Sequence, residues 1–91
     1  MGLLSMDEIM VTVRYFAAVR EALGEGETLR APAGLSVAAL RGRLAARSAA
    51  HGQALGAAQA LRVAVDQQLA DEATVLRADA EVAFFPPVTG G

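Results

Sequence analysis

From Ile9 onward the chain alternates, with Ile9, Val11, Val13 and Tyr15 on one face and Thr12 and Arg14 on the other. β-branched residues at a period of two predict a half-buried strand over 9–16. The period then changes. Residues 17–23 are good helix formers, and Gly24 follows where a left-handed residue closes a helix. A short extended segment is expected over 25–30, ended by Pro32 and Gly34. Ser36 then caps the main helix, with Leu35 placed to staple onto Leu40. Val37, Leu40 and Leu44 recur at i, i+3 and i+7 as its apolar stripe, with Arg41, Arg43 and Arg47 off it. The helix is expected to end between Arg47 and Gly52. Residues 53–60, rich in Ala and Gly, read as a loop with room for one helical turn.

Leu61, Val63 and Val65 alternate again as a strand, and Asp66-Gln67 supplies a turn. Residues 69–80 read as a mixed connection anchored by Val75 and Leu76, and 81–85 as the last strand, stopped by Pro86-Pro87. Strand, short helix, strand, main helix and two or three further strands make an α+β domain, a small mixed sheet packed on one main helix. The expected division is 1–8 as a flexible N-terminus or cloning remnant (native start Met6 or Met10), 9–85 as the domain and 86–91 as an extended tail.

Composition narrows what such a domain can do. Ninety-one residues make one domain, and much of the 54% apolar content is alanine, so little interior is left for a deep substrate pocket. A net charge of −2 without a basic stripe argues against a nucleic-acid surface. All eight basic residues are Arg, so no side-chain amine is available for acylation. Cysteine is absent, which excludes disulfides and thiolate chemistry on side chains. No basic n-region precedes an apolar run and no run is long enough for a membrane span, so a cytoplasmic protein is expected, with no membrane partner.

Side-chain sites are poorly represented. His51 is the single histidine and has no second His or Cys to share a metal, so it reads as structural and no metal site is expected. Asp71-Glu72 are sequence neighbours whose side chains diverge, and they read as a solvated connection. Gly24-Glu25-Gly26 lacks the rest of a phosphate loop and reads as a turn. Tyr15 and Phe16 are core candidates.

The last seven residues, Phe85-Pro86-Pro87-Val88-Thr89-Gly90-Gly91, are different. Two terminal glycines arise by chance in about one chain in two hundred. Pro86 and Pro87 lock φ and hold the chain extended as it leaves the sheet. From Pro86 to Gly91 it reaches at most about 20 Å, at ~3.3 Å per residue. Gly90 and Gly91 lack Cβ atoms, so the tip can thread a narrow channel and place its carboxylate in another protein's site. A carboxylate is a poor electrophile, and adenylation is the common biological route to activating it. With no Cys, any sulfur carried here sits on that carboxyl as a thiocarboxylate.

The stretch Glu81-Val82-Ala83-Phe84-Phe85-Pro86-Pro87-Val88-Thr89-Gly90-Gly91 resembles the small subunits of molybdopterin synthase, a family of ubiquitin-like sulfur carriers. Val11-Thr12-Val13-Arg14-Tyr15-Phe16-Ala17-Ala18-Val19-Arg20-Glu21 and the Leu35-Ser36-Val37 helix start extend the likeness. The chain departs from the family at Asp66-Gln67, where Asn-Gly is frequent, and at Asp79, where glycine is frequent.

The resemblance implies a ubiquitin-like β-grasp fold and a non-catalytic sulfur-donor subunit with no side-chain active site. Gly91 would be adenylated by an ATP-dependent activating enzyme, converted to a thiocarboxylate, and delivered to the large synthase subunit for sulfur transfer to cyclic pyranopterin monophosphate. Gly90 would permit threading, Thr89, Val88, Pro87 and Pro86 would line the passage, and a heterotetramer of two small and two large subunits is implied. The chain itself would bind no cofactor. Phe84 and Phe85 fall on opposite strand faces, and Phe85 is expected as the exposed partner anchor. A sulfur carrier for thiamine thiazole synthesis, and a ubiquitin-like modifier or binding module, remain alternative readings.

Overall fold

A computed structural model describes residues 8–87. The chain runs β1 (Glu8–Tyr15), α1 (Ala17–Leu23), β2 (Gly26–Pro32), α2 (Val37–Ala45), α3 (Ala49–Leu55), β3 (Arg62–Val65), β4 (Gln68–Ala70) and β5 (Ala80–Phe85). The strands form one sheet in the order β2-β1-β5-β3-β4. β1 and β5 run parallel, with Tyr15 opposite Phe84, while β2, β3 and β4 join antiparallel. First and last strands side by side, with the helices on one face, is the β-grasp arrangement.

The predicted alternation of β1 places Val11, Val13 and Tyr15 in the core, at 0–2% exposure. They meet Val82 and Phe84 of β5, Val63 of β3, and the α2 stripe Val37, Leu40 and Leu44, all three fully buried. β1 and β2 approach closely at Gly26, where a Cβ would lie 2.1 Å from the Val13 carbonyl oxygen and φ is 149°. No other residue fits there.

Ser36 caps α2 as expected, its Oγ accepting from Ala39 N–H at 3.1 Å. The two preceding donors are also met, Val37 N–H by Thr74 O and Ala38 N–H by Glu72 O, both at 2.9 Å. The 72–76 connection therefore closes the helix N-terminus. Leu76 is its anchor, 2% exposed, whereas Val75 turns outward at 59%.

Four expectations are corrected. The main helix stops at Ala45, before the range 47–52, because Ser48 turns extended (φ −161°, ψ 171°) to cap a new helix through its Oγ. That helix, α3, takes up the start of the expected loop, and the buried Leu55 ties its end to the core. The helical layer is thus divided among three short helices in the described residues, with α3 packed on both α1 and α2. A short strand, β4, lies at the start of the expected 69–80 connection. Arg41 is not off the stripe but buried, at 8% exposure.

Arg41 holds the end of α3. Its Nε donates to Leu55 O at 2.6 Å, and its Nη2 to Gly56 O at 2.8 Å and Gln59 O at 2.7 Å. Its Nη1 pairs with Glu72 Oε2 at 2.5 Å. One guanidinium thus satisfies carbonyls left open by the helix terminus and ties them to the 72–76 connection.

Candidate functional site: the root of the C-terminal tail

β5 buries every second residue, Ala80, Val82 and Phe84, and leaves Glu81, Ala83 and Phe85 half-buried on the opposite face. Phe84 is 1% exposed and belongs to the core. Its carbonyl still accepts from Phe16 N–H at 3.2 Å, and Phe85 pairs with Arg62 of β3. Next come Pro86 and Pro87, which have no N–H to continue the ladder, so the chain leaves the sheet at its centre. Both are half-buried at this exit. Val88, Thr89, Gly90 and Gly91 lie outside the described residues.

Two surfaces flank the exit. Pro86 borders a cleft of about 330 Å³ between α1, α3 and the approach to β3, walled by Ala18, Ala22, Ala50, Ala54 and Leu61. On the other side is the helix-free face of the sheet. There the register carries Leu69, Ala64, Ala83 and Arg14 in one row across four strands, and Arg62 and Phe85 stand in the next. Leu69 is 72% exposed and Phe16 40% exposed. The Arg14 guanidinium lies 6.0 Å from the centre of the Phe16 ring. An apolar strip edged by Arg14 and Arg62 therefore runs up to the tail.

Phe16 is a correction: it faces solvent, not the core, because it follows Tyr15 on an alternating strand and so falls on the other face. Leu69 was hidden in the expected connection; its signal is pairing with Ala64 in a strand of three residues, too short for periodicity. His51 sits on α3 with its Nδ1 2.8 Å from Ser48 Oγ. Asp71 and Glu72 serve separate ends: Asp71 Oδ1 accepts from Ala73 N–H at 3.0 Å, while Glu72 pairs with Arg41. Among the described residues there is no group of three His, Asp or Glu placed to hold a metal ion, and no helix long and apolar enough to cross a membrane.

The sequence profile described as the ThiS family matches residues 13–91. The chain belongs to the ThiS family. Within reach of this ThiS-family chain is the molybdopterin synthase sulfur carrier subunit of Escherichia coli (strain K12), 44% identical over 82 residues, which cover 90% of this chain and 100% of the relative. A solved protein–protein complex of subunits 1 and 2 of molybdopterin-converting factor from Helicobacter pylori 26695 matches at a TM-score of 0.61 and 27% identity, over 91% of this chain and 100% of that one. Small archaeal modifier protein 1 of Haloferax volcanii matches at a TM-score of 0.71 over 88% of this chain and 99% of that one; at 21% identity this likeness is one of fold. The ThiS-family match runs to Gly91, so the exit at Pro86-Pro87 lies within the matched region.

Proposed function

We propose that this chain is the sulfur carrier subunit of a molybdopterin synthase and that Gly91 carries the sulfur. The observation that carries this reading is the 44% identity to the E. coli sulfur carrier subunit over that protein's whole length. An activating enzyme attaches AMP from ATP to the Gly91 carboxylate with release of pyrophosphate. Hydrosulfide from the sulfur donor then attacks the carbonyl carbon and AMP leaves, giving a terminal thiocarboxylate with loss of one proton to solvent. The large synthase subunit receives the tail and directs the sulfur onto cyclic pyranopterin monophosphate, with Gly90 permitting passage and Pro86 to Thr89 lining it. Two such deliveries build the dithiolene.

This domain's part is recognition and delivery. The helix-free sheet face, with Leu69, Ala83 and Phe85 beside the tail, is the docking surface for the large subunit, and the complex of the two H. pylori subunits supports a partner of that kind. Its apolar centre and arginine edges have the make-up of a protein-binding patch.

Intact mass after incubation with the activating enzyme, ATP and a sulfur donor tests the reading. The expected result is a gain equal to replacing one oxygen by sulfur, abolished in a chain lacking Gly91. Unchanged mass in the full chain, or conversion that survives removal of Gly91, refutes it. Adding the large subunit and the pterin substrate then identifies the acceptor: release of the sulfur as dithiolene is expected, and a thiocarboxylate left intact assigns the carrier elsewhere.

A further inference from the structure

An activated carboxyl is exposed to a side reaction, because an acyl adenylate or thioester acylates any unprotonated amine that reaches it. Apart from the α-amine of the first residue, on protein surfaces that amine is the lysine ε-amine. A guanidinium stays protonated and is no nucleophile. In this chain all eight cationic side chains are arginine and none is lysine. Two of them stand at the root of the tail. Arg62 is the register partner of Phe85, and Arg14 that of Ala83, with half of its side chain exposed.

Geometry makes these positions the exposed ones. Neighbouring strands are ~4.8 Å apart, and six residues beyond Phe85 span about 20 Å, so a folded-back tip reaches either site. An amine there would compete as an intramolecular nucleophile, at an effective concentration of about millimolar or more. By contrast the parallel pairing of β1 with β5 sends the start of β1 to the opposite end of the sheet, with Met10 five residues or about 17 Å from Tyr15. Arg30 belongs to that remote end, paired with Met10 and 3.8 Å from Glu8.

We infer that arginine in place of lysine at positions 14 and 62 protects the activated Gly91 carboxyl from capture by its own domain, so that only an external nucleophile is acylated. This rests on the carrier reading. In the reaction avoided, a lysine Nζ attacks the Gly91 carbonyl carbon, a C–N bond forms and the bond to the leaving group breaks. AMP or thiol departs, the nitrogen loses one proton to solvent, and nothing is oxidised or reduced. The product is a dead-end lactam.

The test dispenses with the activating enzyme. The wild-type chain and the R62K, R14K and R30K variants are prepared as Gly91 thioesters of a small thiol by intein cleavage and held at mildly alkaline pH. Wild type and R30K are expected to lose the thiol slowly, by hydrolysis to the free acid. R62K and R14K are expected to lose it at least ~10-fold faster, as proximity gives intramolecular attack its advantage. Their product is lighter than the free acid by one water, with the cross-link mapped to position 62 or 14. Thioesters of R62K and R14K that persist as long as wild type overturn the inference, as does R30K cyclising as fast as R62K. Because adenylation is bypassed, this outcome and that of the enzyme assay are independent.

Discussion

At the scale of single residues, Arg41 shows how a charge can be structural. It falls four positions after Val37, at the edge of the α2 stripe, where a charged side chain ordinarily extends its head to water. Here four of its five N–H donors find the carbonyls of Leu55, Gly56 and Gln59 and the Glu72 carboxylate. The carbonyls are the greater part of that role, since the Glu72 side chain is 49% exposed and remains hydrated without its partner. A lysine cannot reproduce the fork, having a single point of charge on a flexible stem. R41K is therefore expected to cost about 2–3 kcal/mol in urea unfolding, and E72Q less than ~1 kcal/mol. Equal losses would mean that the ion pair, and not the cap on α3, is what matters.

At the scale of elements, the β3–β4 hairpin turns on two residues, Asp66 and Gln67, with Val65 opposite Gln68. Both hold left-handed backbone, φ 51° and 70°, as a two-residue hairpin turn requires and as Asn-Gly supplies readily. Asp66 recovers part of the cost: its Oδ1 accepts from Glu81 N–H at 2.9 Å, and its own N–H donates to Glu81 O at 2.8 Å. Gln67 has no such compensation among the described hydrogen bonds. Gln67→Gly is expected to raise stability by about 0.5–1 kcal/mol, relief of left-handed strain outweighing the added freedom of the unfolded chain. A thermal midpoint that is unchanged or lower would contradict this. The same hairpin shows what was legible beforehand. β1, the α2 stripe, the Ser36 cap and the halt at Pro86 were readable because each rests on local chemistry repeated along the chain. β4 and α3 were not, since three residues carry no period and Ala49–Leu55 offers one apolar anchor, Leu55. The helix-free face at the tail root was half visible: alternation separates Phe84 from Phe85, but only the register brings Leu69 and Arg62 alongside.

At the scale of the whole molecule, one buried hydroxyl ties the sheet to the helical layer. Tyr15, on β1 and opposite Phe84, is 2% exposed and donates to Glu27 Oε2 of β2 at 3.4 Å. Arg47, between α2 and α3, donates to the other Glu27 oxygen, and that hydrogen bond holds its guanidinium more firmly protonated than usual. Burial, reinforced by the negative charge of Glu27 and opposed by Arg47, pushes the Tyr15 phenol up to about 12 from an ordinary 10.0. The unfolded chain therefore releases this proton first as pH rises. Below pH 10 both states keep it and the contribution to stability is complete; between pH 10 and about 12 the unfolded state is progressively favoured and the contribution is lost. Tyr15→Phe keeps the ring in its core site but removes the titrating group. Unfolding free energy measured against pH should accordingly fall less steeply from pH 10 to 12 in Y15F than in wild type, after the shared loss from other groups is subtracted. Identical slopes would mean that the phenol is not held protonated by the fold. In that case the Tyr15–Glu27–Arg47 link would not be what joins the edge strand, the start of α3 and the strand pair from which the tail departs.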